Sequence, residues 1–119
     1  MRQPLLERAE AALESWVEAR GQVPTRETVE GFRLLALHRQ GARGVPSFNA
    51  CRETCREVAY HYNLLEHKSD PKILLMMTLL VQHLEFFVRG KLEVEGLGEF
   101  CCASRPLRQE SGSEEKTDA

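Results

Sequence analysis

The sequence predicts an all-α protein: a four-helix domain over residues 1–102 that ends in a short β-hairpin or extended segment, and a disordered polar tail over residues 103–119. Three observations lead to this class. Apolar residues recur at intervals of three and four, the period of a helix with one buried face. Proline, glycine and capping residues interrupt that period where helices would begin and end. Hydrophobic residues make up 42% of the chain and charged residues 29%, proportions typical of one folded core.

The first two predicted helices are amphipathic. Residues 4–20 place their apolar side chains on one face and glutamates on the other, and Gly21 is the predicted stop. Residues 26–40 follow a proline and a threonine that favour a helix start, and Gly41 is the predicted cap. Gly31 lies inside this second helix, where it would cost about 1 kcal/mol relative to alanine. A close approach of another backbone would explain its presence.

The third and fourth predicted helices follow a glycine-containing loop. Residues 48–67 alternate apolar spacings of three and four, which is the pattern of a seam packed against another helix. Ser69 or Asp70 caps the start of the fourth helix, residues 71–90, and a proline occupies its first position. Gly90 is the predicted end of this helix.

The segment after the fourth helix has a different pattern. KLEVEGLGEFCC, over residues 91–102, alternates leucine and valine with glutamate and then turns at two glycines. This alternation predicts a short hairpin or an extended segment, although two strands alone are marginally stable. Residues 103–119 contain almost no apolar side chains, which predicts a disordered tail.

The fourth helix contains the most apolar stretch of the chain. Residues 73–81 are uncharged, and all except Thr78 are apolar. A transmembrane helix needs about 20 mainly apolar residues, and here Gln82 and Glu85 interrupt the stretch early. These two residues form a polar strip with Thr78, and Glu85 and Arg89 are spaced as a favourable ion pair. We therefore expect no membrane span, and contact with water along one edge of the C-terminal half.

The N-terminal half of the fourth helix has no polar face. A helix that is apolar all round must be covered on all sides, and three partner helices leave one side open. Either the segment after Gly90 or a second copy of the chain has to cover that side. We therefore predict a non-enzymatic protein-interaction module, a homodimer or the partner of a helical protein, that associates through residues 71–90 and the seam of residues 48–67. The predicted interface residues are Leu75, Met76, Leu79, Leu80, Phe86 and Phe87.

An alternative function follows from the arginines of residues 33–56, a segment in which Glu53 is the single acidic residue. A helix start near Ser47 attracts anions, and two helices joined by a glycine-containing loop are compatible with a helix-turn-helix. This pattern predicts a small regulatory protein, monomeric or dimeric, that binds RNA or DNA. Against it, Glu53 and Glu57 interleave with arginines, as on a salt-bridged solvent face. The predicted contact residues are Arg39, Arg43, Ser47, Asn49, Arg52 and Arg56.

No motif predicts catalysis, a metal or a cofactor. The third predicted helix carries two cysteines and two histidines, the residue types of a zinc site. On a continuous helix both histidines lie far round from Cys51 and Cys55, so the four side chains cannot meet on one ion. His83 lies on an apolar face without an acidic partner one turn away. Phosphate-binding glycine loops and nucleophile motifs are also missing from the sequence, so we expect no enzyme activity.

The cysteines and the charge balance predict the compartment. No secretory signal is found at the start of the sequence, and the adjacent Cys101 and Cys102 are poorly placed for a mutual disulfide. We therefore expect four reduced thiols and a cytoplasmic or nuclear protein. The net charge of -2 means that any binding to nucleic acid would need a local basic patch.

Overall fold

The computed structural model describes residues 2–97, which are mostly helical and contain no strand. Its α-helices are α1 (Arg2–Ala19), α2 (Arg33–Ala42), α3 (Arg52–His67) and α4 (Pro71–Val94), and a 3₁₀ helix (Pro46–Cys51) precedes α3. The prediction of four helices is confirmed. The chain divides inside α4, after Val88, into two compact units. Each unit is therefore described by itself.

Helix α1 supplies one wall of the core. Its apolar side chains have the helical spacing expected from the sequence, and they are buried by the helices that follow. Helix α1 lies against α2 and α3 with close backbone contacts, whereas the contacts of α4 include the side-chain pairs Arg8–Glu85 and Phe48–Phe87. The buried residues of α1 are Leu5, Leu6, Ala9, Leu13, Trp16 and Val17.

Helix α2 begins at Arg33, so the predicted start at residue 26 is wrong. Val29 and Phe32 exchange two backbone hydrogen bonds of 3.0 and 2.9 Å, which close a tight turn. Glu30 and Gly31 both have positive φ in this turn, at 53° and 84°. Gly31 is therefore explained by its backbone conformation, and an added Cβ there would meet nothing within 4 Å, so the expected close backbone approach is wrong.

The start of the third helix is also different from the prediction. Pro46–Cys51 form a 3₁₀ helix, and α3 itself begins at Arg52. Ser47, the predicted cap, lies inside the 3₁₀ helix. The tighter winding turns Phe48 and Cys51 into the core, where both are buried.

Helix α4 begins as predicted and ends later. Asp70 caps it, because its Oδ1 accepts a 2.9 Å hydrogen bond from the backbone N–H of Lys72. Gly90 does not end the helix, which continues to Val94. The first strand of the predicted hairpin is therefore wrong. The rest of the predicted hairpin and the predicted tail, residues 98–119, lie outside the described residues.

Trp16 lies at the centre of the core. Its ring stacks on Phe48 with centroids 4.8 Å apart and planes inclined by 9°, and its Nε1 donates a 2.9 Å hydrogen bond to the carbonyl of Gly41. A Cβ on Gly41 would come within 2.7 Å of Trp16 Cδ1 and 3.0 Å of Phe48 Cε2. Gly41 lies inside α2, so its predicted role as a cap is wrong. It allows the close contact of α2 with these two rings instead.

Candidate functional site

Helix α4 buries one face against its own unit. Met77, Val81 and Leu84 are fully buried and Val88 is 3% exposed. Their spacing of four, three and four residues places them on one side of a helix with about 100° of rotation per residue. The ring of Phe87 lies beside this face, 5.8 Å from the ring of Phe48.

The opposite face of α4 is apolar and exposed to water. Leu75 is 59% exposed, Leu79 49% and Phe86 68%. These three residues lie within about 40° of one another around the helix axis, on the side away from the buried face. Met76, 47% exposed, borders them. We call Leu75, Met76, Leu79 and Phe86 the outer face of α4.

The six predicted interface residues thus divide into two groups. Four of them form the outer face of α4. Leu80 and Phe87 are half-buried, and Phe87 contacts the core. The predicted seam of the third helix divides in the same way: Phe48, Cys51 and Val58 are buried within their own unit, whereas Tyr62 and Leu65 are half-buried.

One edge of the outer face is polar, as the sequence predicts. The single guanidinium group of Arg8, in α1, binds the carboxylate of Glu85 there with two hydrogen bonds: Nε donates to Oε2 at 3.1 Å and Nη2 donates to Oε1 at 2.7 Å. Glu85 therefore has a partner in α1 that the spacing along the sequence did not indicate. Thr78 donates to the carbonyl of Leu74 one turn earlier, at 2.9 Å.

Among residues 2–97, α4 is the one helix that is long and apolar enough to cross a membrane, by length and composition alone. Core helices of water-soluble proteins often meet the same criteria, so one such helix is weak evidence for a span. Here only 22% of the apolar window is buried in the protein. Most of this window is therefore not buried by the described residues.

A second surface feature is a cavity of about 400 Å³ between the C-terminal end of α2 and the start of α3. Only three residues separate α2 from the 3₁₀ helix, so both ends carry their arginines to one place. Five of the six predicted nucleic-acid contacts line this cavity, and Ser47 does not. The lining includes Arg39, Arg43, Asn49, Arg52 and Arg56, together with Val29, Leu35, His38 and Ala42. We call this cavity the arginine pocket.

The carboxylates near the arginine pocket leave most of its charge uncompensated. Arg56 is bound by both carboxylate oxygens of Glu30, each at 3.1 Å. Glu53 and Glu57 line a neighbouring cavity of about 310 Å³ and do not line the arginine pocket. Arg56 lines both cavities, whereas Arg39, Arg43 and Arg52 line the arginine pocket and not the neighbouring one.

Below the pocket, two thiols are buried beside a histidine. Cys51 and Cys55 are free cysteines, 1% and 0% exposed. The Nε2 of His38 lies 3.2 Å from the carbonyl oxygen of Phe48, and Cys51 Sγ donates to the same oxygen at 3.3 Å. A carbonyl oxygen only accepts, so His38 carries its hydrogen on Nε2 in this contact.

The pKa values of the two thiols are shifted in opposite directions. A hydrogen bond from Cys55 lowers the pKa of Cys51, and the His38 ring lowers it further, although burial opposes both effects. The same thiol contact raises the pKa of Cys55, and burial adds to that. The sequence pointed to small core cysteines and missed His38 beside them, because His38 lies far from both cysteines along the chain and the three residues form no local pattern. Both thiols are enclosed in the core and are not accessible to solvent.

Comparison of the chain with models of protein families, with curated proteins and with solved structures finds no match.

Proposed function

We propose that the protein is a non-enzymatic interaction module that self-associates through the outer face of α4. The observation that supports this proposal is the exposure of Leu75, Leu79 and Phe86 on one side of a helix whose other side is buried. Contiguous apolar surface of this kind is unfavourable in water and is typical of an interaction site.

A second copy of the chain is the occupant that best fits the outer face. Residues 98–119 contain only two large apolar side chains, Phe100 and Leu107, among many charged and small residues. This segment is too polar to cover four apolar side chains. A second copy supplies an equal apolar face, and a two-fold axis makes one surface complementary to itself.

The spacing of the outer face suits an antiparallel pair. Leu75 and Phe86 are eleven residues apart, a rise of about 16 Å along the helix. With the two-fold axis near residues 80 and 81, Leu75 of one copy meets Phe86 of the other. Leu79 then lies close to the axis, where it contacts the second copy in both directions.

The expected strength of the pair is modest. Full burial of a leucine, methionine or phenylalanine side chain contributes about 1.5–3 kcal/mol, so eight half-exposed side chains contribute roughly 6–12 kcal/mol. Association costs about 4–15 kcal/mol in lost freedom of motion. Since these two terms are similar in size, we expect a weak dimer that forms in a concentration-dependent way.

A protein partner fits α4 better than a lipid bilayer. Met77, Val81 and Leu84 of α4 pack against helices whose other faces carry many charges, so a span would bring those charges into the hydrocarbon. The ion pair of Arg8 and Glu85 lies at the middle of the same helix. Charged groups at that depth are costly in a membrane.

The proposal is tested by Leu79→Asp, which introduces a charge at the centre of the outer face. Leu79 is half exposed, so this variant should fold and unfold in urea within about 0.5 kcal/mol of wild type. By light scattering, the wild-type mass should rise above 13.6 kDa with concentration, and the variant should stay at 13.6 kDa. Val23→Asp is the matched control, because Val23 is 85% exposed and lies in the segment between α1 and α2, outside the outer face of α4. It should associate like wild type.

Two results would refute self-association. One is a wild-type mass of 13.6 kDa at every concentration. The other is a Leu79→Asp variant that associates as wild type does. Flotation with phosphatidylcholine vesicles completes the test, because a wild-type monomer that binds vesicles would assign the outer face to lipid instead of protein.

A further inference from the structure

The arginine pocket concentrates positive charge that its own chain does not neutralise. Within residues 2–97, salt bridges of 4.0 Å or less do not involve Arg39, Arg43 or Arg52, although all three line the cavity. Arg56 shares its charge with Glu30 at the edge. The cavity therefore carries about three uncompensated charges, which favours an anion as ligand.

The arrangement of these arginines opposes the stability of the free protein. Arg52 and Arg56 are one turn apart on α3, and like charges at this spacing repel on a helix. Arg39 is favourably placed for the helix dipole, because it lies in the last turn of α2. Arg52 is unfavourably placed, because it lies at the positive end of the dipole of α3. An anion between the two helix ends would remove the repulsion and would be attracted by that end of α3.

The rest of the lining indicates what else the ligand carries. Asn49 supplies an amide that can donate a hydrogen bond, while Leu35 and Ala42 form an apolar wall. A volume of about 400 Å³ falls in the range of small-molecule sites. The pocket thus has room for a charged group together with a small organic group.

We propose that the arginine pocket binds the dianion of a small phosphomonoester. Guanidinium groups match phosphate oxygens with paired hydrogen bonds, and three unpaired arginines favour a group with two negative charges over the single charge of a phosphodiester. A concave site also suits a terminal phosphate group better than a duplex, which needs a protruding helix to enter its groove. Binding to nucleic acid is therefore the competing outcome.

The proposal is tested by calorimetric titration with phenyl phosphate, whose ring tests the apolar wall, and with inorganic phosphate. Methyl phenyl phosphate is the diester control, and a single-stranded RNA oligonucleotide is the macromolecular control. We expect phenyl phosphate to bind most tightly, at least tenfold more tightly than the diester. Arg39→Gln and Arg52→Gln should each weaken this binding at least tenfold, while Arg26→Gln should leave it unchanged. Arg26 is exposed and lies outside the pocket, so it makes the same change of net charge.

Each other outcome overturns the proposal. Undetectable binding of phenyl phosphate at millimolar concentration would show that the pocket is not a phosphate site. Equal weakening by Arg26→Gln would assign the binding to net charge alone. If the RNA binds at least tenfold more tightly than phenyl phosphate and depends on Arg39 and Arg52, the surface binds nucleic acid. Urea unfolding of each variant, expected within about 0.5 kcal/mol of wild type, separates lost binding from lost folding.

Discussion

At the scale of single residues, the contact of Gly41 with two aromatic rings has the clearest consequence. Gly41→Ala adds a Cβ that would lie 2.7 Å from Trp16 Cδ1, so the indole must move and its hydrogen bond to the carbonyl of Gly41 is strained. Overpacking of this kind typically destabilises a protein by about 1–3 kcal/mol. We expect a loss of that size in the free energy of unfolding, measured with urea.

Gly90→Ala is the control for this substitution. Gly90 lies inside α4, and an added Cβ meets nothing within 4 Å. Alanine should therefore stabilise the helix by up to about 1 kcal/mol. A Gly41→Ala variant as stable as wild type would show that the packing around Trp16 is looser than described.

Glu10 predicts a pH dependence of folding. Burial raises the pKa of Glu10, and the nearby Glu14 and Glu7 raise it further, while Arg33 opposes them. The folded state therefore holds a proton that the unfolded state has already released. Stability from this group is present below the ordinary pKa of 4.5 and is lost as the pH rises through the raised folded value.

Glu10→Gln removes this titration. The free energy of unfolding of the variant, relative to wild type, should increase between about pH 4 and pH 7. Urea unfolding at several pH values measures this difference. A difference that stays constant, or that decreases toward neutral pH, would contradict the raised pKa.

At the scale of elements, the bidentate pair of Arg8 and Glu85 links α1 to α4. The two side chains are 45% and 32% exposed, so solvent screens them. Such pairs contribute about 0.2–1 kcal/mol. A double-mutant cycle with Arg8→Gln and Glu85→Gln should give a coupling free energy in that range at low salt and less in molar salt, which screens within a few Å. A coupling that does not respond to salt would contradict the exposed geometry.

The elements also show which patterns in the sequence were informative. The existence of four helices followed from their apolar periodicity, and the start of α4 followed from Asp70 and a proline, because both are local signals. The start of α2 was missed because Val29 and Phe32 fit a helical period equally well. What decides this segment is the positive φ of Gly31, which periodicity does not contain.

Gly90 was predicted to end α4 and does not, whereas the arginines of the pocket were recognised in the sequence. A glycine inside a helix costs about 1 kcal/mol, and the flanking residues of α4 continue the helix through it. The arginines were recognised along the chain as a basic segment. Arg39, Arg43 and Arg52 line a cavity that Glu53 and Glu57 do not line, and the alternation of arginine and glutamate along the chain does not specify this.

At the scale of the whole molecule, the proposed self-association requires a second copy of the chain to cover the outer face of α4. Met76 and Met77 are neighbours in sequence but differ in exposure: Met76 is 47% exposed on the outer face, and Met77 is fully buried in the core. Oxidation by dilute hydrogen peroxide converts exposed methionine to its sulfoxide. The two residues therefore report separately on the outer face and on the core.

The most direct measurement is the rate of oxidation of Met76 and Met77, followed by mass spectrometry of peptides at micromolar and at millimolar protein concentration. If the protein self-associates through the outer face, Met76 will oxidise rapidly in dilute protein and severalfold more slowly in concentrated protein, whereas Met77 will oxidise slowly in both. A rate for Met76 that does not change with protein concentration would contradict the covering of the outer face by a second copy.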